Sequence, residues 1–249
     1  MDGLDTTSIV PLYKQLKDLI LKQIEDGILK PNQKIPTEQE LSEHYQISRM
    51  TVRKSLAQLV EDGVLAKKQG KGTFVQEPKI TEDLSNPGSF TSLCKRNGKV
   101  PGGRTLKFML TEATDRDVEE LQLKDSEPVI HVQRVRLADN MPVMLENLYF
   151  PGHLKDILTE NLDDSSLYQI LHEKYGLTSG NSVMEIEISE CNSYEAAVLE
   201  IKAGSPLLLM REIVYDQHDK PLHRSKSLIR GDKFKYISPR MNVIKNNDE

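Results

Sequence analysis

Arg49, Thr51, Arg53 and Lys54 lie directly behind Ser48, and a second basic stretch, Lys67-Lys68-Gln69-Gly70-Lys71-Gly72, follows closely. Guanidinium and ammonium groups at this spacing suit phosphates and the acceptor edges of bases. Gly70 and Gly72 carry no side chain, so their backbone can approach a phosphate or the floor of a minor groove. A different chemistry is written further along. Arg134 and Arg136 alternate, which puts them on one face of a strand, and Glu146 falls on the strand that would pair with it. Such a group could hold a phosphate at the arginines and sugar hydroxyls at the carboxylate. The same three residues would equally make an exposed sheet face, with Glu146 as a structural ion-pair partner. The sequence offers no Ser/His/Asp arrangement, no cluster at metal-ligand spacing, and no paired acid and base beyond Glu146. Neither a metal nor a cofactor is expected.

The basic residues near the N-terminus need a scaffold, and the pattern around them supplies one. Leu12, Leu16, Leu19, Ile20 and Ile24 recur at helical spacing, so Pro11–Asp26 reads as an amphipathic helix closed by Gly27. Thr37 and Glu40 form a capping box that starts a second helix running to about Tyr45. A tight turn at Gln46–Ile47 leads to Ser48, a good N-cap for a third helix from Arg49 to about Glu61. This order is a helix-turn-helix with its basic residues at the start of the recognition helix. Val64–Lys68 and Thr73–Val75, joined through the glycine turn, read as a hairpin that forms a basic wing.

Whole-chain charge argues the other way at first. The 249 residues sum to −5, with 37% hydrophobic and 29% charged residues. Binding depends on a local patch, however, and Arg49–Gly72 holds six basic residues against two acidic ones. No apolar run approaches the ~20 residues of a membrane span, and Met1–Val10 lacks the pattern of a signal peptide. Cys94 and Cys191 are far apart and fit no disulfide framework. A reduced, cytoplasmic, soluble protein is expected.

Gln76–Pro87, with two prolines and an Asn-Pro-Gly, reads as a linker. Beyond it the sequence repeats itself at an offset of 78 residues: Phe90 matches Tyr168, Leu93 Leu171, Gly98 Gly176, Glu112 Glu190 and Pro128 Pro206. Each half reads as a helix opening near Ser89 or Ser166, a strand, a short helix and a hairpin. Two such halves would combine into one α+β domain with a mixed or antiparallel sheet, bringing the helix starts at Ser89–Thr91 and Ser165–Tyr168 to a shared crevice. The expected organisation is a winged helix-turn-helix at 1–75, a linker at 76–88 and a sensing and dimerisation domain at 89–245.

Pro11-Leu12-Tyr13, Ile35-Pro36-Thr37-Glu38-Gln39-Glu40-Leu41, Ile47-Ser48-Arg49-Met50-Thr51-Val52-Arg53 and Lys68-Gln69-Gly70-Lys71-Gly72-Thr73-Phe74-Val75 resemble the GntR family of bacterial regulators. Ser89-Phe90-Thr91, Arg134-Val135-Arg136 and Ser227-Leu228-Ile229-Arg230-Gly231-Asp232 resemble the sensor (UTRA) domain of its HutC branch, whose fold is similar to chorismate lyase. The resemblance implies that Arg49, Thr51 and Arg53 touch DNA and that Gly70 enters the minor groove. Gln39, Ser48, Lys54, Lys71 and Gly72 complete the expected interface. Gln39 stands where the family often has arginine, and it lacks that residue's bidentate charge.

In related amino-sugar (N-acetylglucosamine) utilisation repressors the positions of Ser89, Phe90, Thr91, Arg134, Arg136, Glu146, Ser166 and Tyr168 hold a phosphorylated sugar. His223 and Arg230 join that expected effector set. His223 and Ile229 stand where those relatives tend to carry glutamate and tyrosine. The expectation is a homodimeric repressor on a palindromic operator, modulated by a sugar phosphate such as glucosamine 6-phosphate or N-acetylglucosamine 6-phosphate. Alternatives are a sensor of another anionic metabolite, such as a carboxylate or amino-acid derivative, a lyase-type enzyme fused to a DNA-binding head, and a DNA-binding protein with no ligand.

Overall fold

The computed structural model describes residues 3–86, 88–124, 127–163 and 166–239. The chain divides into two compact units, residues 1–78 and 79–249.

In the first unit, α1 (Leu12–Glu25), α2 (Glu38–Tyr45) and α3 (Arg49–Glu61) enclose one core, and β1 (Leu65–Lys68) pairs antiparallel with β2 (Gly72–Val75). The helical stripes meet as their spacing requires: Leu16, Ile20, Leu41, Ile47, Val52, Leu56 and Leu59 are buried together, with Leu65 and Val75 closing the core from the hairpin. The starts of α2 and α3 are capped by side chains. Thr37 Oγ1 accepts from the Glu40 amide while Glu40 reaches back to the Thr37 amide, and Ser48 Oγ accepts from the Thr51 amide at 3.1 Å. The turn between α2 and α3 requires a left-handed residue, supplied by Gln46 at φ 55°.

The second unit is built on a six-stranded sheet in the order β4-β5-β6-β9-β8-β7, every neighbour antiparallel. Its strands are β4 (Pro101–Thr111), β5 (Val129–Ala138), β6 (Met141–Pro151), β7 (Ser179–Glu190), β8 (Pro206–Asp216) and β9 (Pro221–Ile229). Helices α4 (Phe90–Arg96) and α6 (Leu167–Tyr175) precede the edge strands, while α5 (Asp115–Leu121) and α7 (Ser193–Leu199) follow them. A 3-10 segment, Gly152–Thr159, leaves β6.

The order is symmetric about the β6–β9 seam, as a duplication demands. The two halves also agree in detail. Thr114 and Asn192 open α5 and α7 with capping boxes, and Gln122 and Glu200 close them with φ of 52° and 54°.

One expected boundary is corrected. Ile80–Asp83, assigned from sequence to the linker at 76–88, form strand β3, which pairs in parallel with β10 (Phe234–Ile237). Only Ile80 among the four is apolar, and its partners lie far along the chain, so no local pattern announces the strand. Ile80 and Phe234 are buried with Leu93 and Cys94 of α4 against the sheet. Ser165, Pro87 and residues 240–245 of the expected boundaries lie outside the described residues.

Candidate functional site

The recognition helix presents Arg49, Arg53 and Lys54 to solvent, with Thr51 half-buried at its first turn. Neighbours hold these side chains rather than leaving them loose. Arg49 Nη2 donates to Gln39 Oε1 at 3.1 Å, and Gln39 Nε2 donates to Glu43. Arg53 Nε donates to Glu38 at 3.1 Å, and Lys54 Nζ sits 3.9 Å above the Tyr13 ring. Gln39 therefore joins Arg49 in one hydrogen-bonded unit.

On the wing, Gly70 and Gly72 adopt φ of 71° and 117°, values that favour glycine, with Lys71 exposed between them. Lys34 was missed from sequence. It bridges to Phe74, and a Cβ on Gly72 would meet its Cε at 2.6 Å, so it adds a cation beside the wing. Its isolation between two prolines gave no periodic signal.

The second site lies on one face of the six-stranded sheet. Arg134 and Arg136 point to the same side of β5, and Arg134 is directly across the ladder from Glu146 on β6. Both arginines are buried, at 1% and 4% exposure. Burying a guanidinium is costly without acceptors, so their arrangement asks for an anion or fixed carbonyls. Arg134 Nη2 donates to the Leu162 carbonyl, and the Arg136 guanidinium lies 4.6 Å from the centre of the Phe90 ring. Gly103 on β4 leaves the space: a Cβ there would sit 3.3 Å from both guanidiniums. Arg136 Nε is buried without a hydrogen-bond partner.

Nine of the ten expected effector residues converge here. Ser89, Phe90 and Thr91 from the start of α4, Ser166 and Tyr168 from the start of α6, Arg134, Arg136, Glu146 and His223 line one lobe of about 40 Å³. A larger lobe of about 220 Å³ shares Ser89, Phe90, Glu146, Tyr168 and His223 with it. The exception is Arg230, which lines neither lobe. Its guanidinium pairs with Asp232 at 2.8 Å and donates to the Pro142 carbonyl at 3.2 Å, so it fastens the end of β9 to the start of β6. Motif membership placed Arg230 in the set, and only tertiary position separates it.

His223 is 2% exposed and its Nε2 lies 2.7 Å from the Tyr168 hydroxyl. Burial pushes its pKa down to about 4, so the ring is neutral at physiological pH. It holds Tyr168 in place at the junction of the two lobes. Ile229 is fully buried in the core beside α4. The larger lobe also takes in Glu82, Ser182, Glu212, Ser225, Ser227 and Tyr236, none of them anticipated. Burial and the neighbouring Glu212 raise the Glu82 pKa to about 7. Glu82 escaped notice because it sits on the unpredicted β3.

Among the described residues no group of three His, Cys, Asp or Glu is placed to hold a metal ion, and no helix is long and apolar enough to cross a membrane. Cys94 and Cys191 are buried, free thiols.

Comparison with known proteins identifies both units. The bacterial regulatory proteins of the gntR family match residues 12–75, and the UTRA domain matches residues 96–235. The chain is 32% identical to the HTH-type transcriptional repressor NagR of Bacillus subtilis (strain 168), over 94% of this chain and 97% of that protein. It is 31% identical to a probable fructoselysine utilization operon transcriptional repressor of Escherichia coli (strain K12), over 94% and 96%. The crystal structure of PhnF from Mycobacterium smegmatis superposes with a TM-score of 0.71 at 28% identity, covering 92% of this chain and 99% of that one. With a winged helix-turn-helix in front and an effector domain of this fold behind, the chain belongs to the GntR family of DNA-binding transcription regulators, in its UTRA-containing branch.

Proposed function

We propose that this regulator is a repressor whose operator affinity is set by a phosphorylated sugar, the phosphate at Arg134 and Arg136 and the sugar in the adjoining lobe. The observation that carries this reading is the pair of buried arginines at the narrow end of a two-lobed cleft. A lobe of about 40 Å³ suits one compact group, and charge-assisted hydrogen bonds to an anion would offset the burial of the two guanidiniums. Lobes of about 220 and 40 Å³ suit a small metabolite. Relatives named for fructoselysine utilization and for mannosyl-D-glycerate transport and metabolism point to sugars as well.

The protein works in the cytoplasm as a homodimer on a palindromic operator, because one short recognition helix and wing contact too little DNA for specificity. The edge strand β7 supports self-association: it is twelve residues long and exposes Val183, Ile186 and Ile188. The effector changes DNA affinity by favouring one of two dimer arrangements.

Thermal stability against phosphorylated sugars and their unphosphorylated parents tests the effector. A true ligand adds about 2.7 kcal/mol at a hundred times its dissociation constant. Arg136→Met should weaken phosphosugar binding about 10- to 100-fold, the loss of a hydrogen-bonded charge. A shift with carboxylates alone would overturn the phosphate assignment. On the DNA side, Lys71→Ala should lower the salt slope of operator binding by about 1, as one phosphate contact requires.

A further inference from the structure

We infer that Met50, on the exposed face of the recognition helix, reads the C5-methyl group of a thymine in the major groove and so helps to set the operator sequence. The inference concerns the DNA-binding unit alone and does not depend on the effector reading above.

Helix α3 sends Val52, Ser55, Leu56 and Leu59 into the core. Met50 lies off that stripe and is 68% exposed. It shares a helix face with Arg53, Lys54 and Ala57, all of them exposed. Tyr13 of α1 and Thr51 complete an open depression around it. A single exposed apolar side chain is ordinary on a protein surface. This one, however, stands in the first turn of the recognition helix, where a helix-turn-helix meets base edges.

The polar side chains around Met50 are each held by a neighbour. Arg49 donates to Gln39, Arg53 donates to Glu38, and Lys54 lies over the Tyr13 ring. The Thr51 hydroxyl is 2.8 Å from that of Ser48. Met50 is the large apolar group left on this face.

Its chemistry narrows what it can meet. A thioether donates no hydrogen bond and accepts one only weakly, so it gains little from phosphate oxygens or from polar base edges. The apolar group that the major groove displays is the C5-methyl of thymine. An unbranched, polarizable side chain can follow that methyl by changing rotamer. Ala57 is less suited, because it lies roughly 10 Å further along the helix and has a side chain of one carbon.

The test uses the full chain and the duplex that it selects from a randomised DNA pool. Each thymine of that duplex is replaced in turn by deoxyuridine, which removes the methyl group alone, and affinity is read by fluorescence anisotropy. At least one replacement should weaken wild-type binding about fourfold, as the loss of one buried methyl requires. The same replacement should leave binding by Met50→Ala unchanged, while Met50→Leu keeps a preference for the methyl. Met50→Ala should bind a duplex of unrelated sequence as the wild type does, since its side chain supports no core. Wild-type indifference to every deoxyuridine would overturn the inference, and so would a methyl preference that survives in Met50→Ala. Equal weakening of the selected and unrelated duplexes by Met50→Ala would also overturn it, because that loss would mark a structural role.

Discussion

The two halves of the effector domain share a backbone and differ in what they do with it. Each supplies a helix, an edge strand, a capped short helix and a hairpin, and the caps agree to within a few degrees at Gln122 and Glu200. At equivalent side-chain positions they part. Arg134 of the first half corresponds to Glu212 of the second, and Arg136 to Val214. Asp117 corresponds to Glu195, and here too the roles diverge. Both complete a capping box, yet Asp117 is also buried against Arg224 of the second half, whose Nε donates to it at 2.6 Å. A duplicated fold keeps the residues that shape the chain and frees those that face the cleft or the seam. The asymmetry, rather than the repeat, gives the cleft two chemically distinct ends.

The largest predicted effect separates the two capping acids. Asp117→Ala leaves Arg224 buried beside Tyr149 with only Glu120, at 3.7 Å, as a counter-charge. Unfolding by denaturant should register a loss of about 3–5 kcal/mol. Glu195→Ala, which removes a cap alone, should cost about 1 kcal/mol. Equal losses would mean that the inter-half ion pair contributes nothing beyond the cap.

A pH series sharpens the contrast inside the cleft. His223, lowered to about 4 from an ordinary 6.5, binds fewer protons folded than unfolded between those values, so its contribution to stability falls as the solution is acidified through that window. Glu82, raised to about 7 from 4.5, binds more protons folded than unfolded, and its contribution rises over nearly the same range. The two largely offset in the wild type. Glu82→Gln removes one side of the balance, so lowering the pH from 7 to 5 should cost that variant about 2 kcal/mol more than the wild type. Parallel pH profiles for the two proteins would rule out this account of Glu82.

The smallest effect tests where the halves agree. Gln122→Gly and Glu200→Gly each relieve a left-handed residue at a helix end, and each should raise stability by about 0.5–1 kcal/mol in thermal melts. Gains that differ between the two sites would show that the repeat has diverged in backbone strain as well as chemistry.

The sequence by itself determined the local elements and the sites that depend on neighbours along the chain. Thr37, Glu40 and Ser48 marked the helix starts, leucines at helical spacing marked the buried faces, and two glycines marked the wing, because caps, periodicity and turns are all written within a few residues. The repeat fixed the alternation of α4 to β6 with α6 to β9, and alternation within β5 put Arg134 and Arg136 on one face. Only the tertiary structure decided which distant residues meet. It drew Ile80–Asp83 out of the supposed linker to pair with Phe234–Ile237, left Arg230 outside both lobes of the cleft, turned His223 inward against Tyr168, and gathered Glu82, Glu212 and Tyr236 into the larger lobe. Parallel pairing and cleft lining join residues separated by much of the chain, and no short-range spacing encodes contacts that are made only when the sheet closes its seam at β6 and β9.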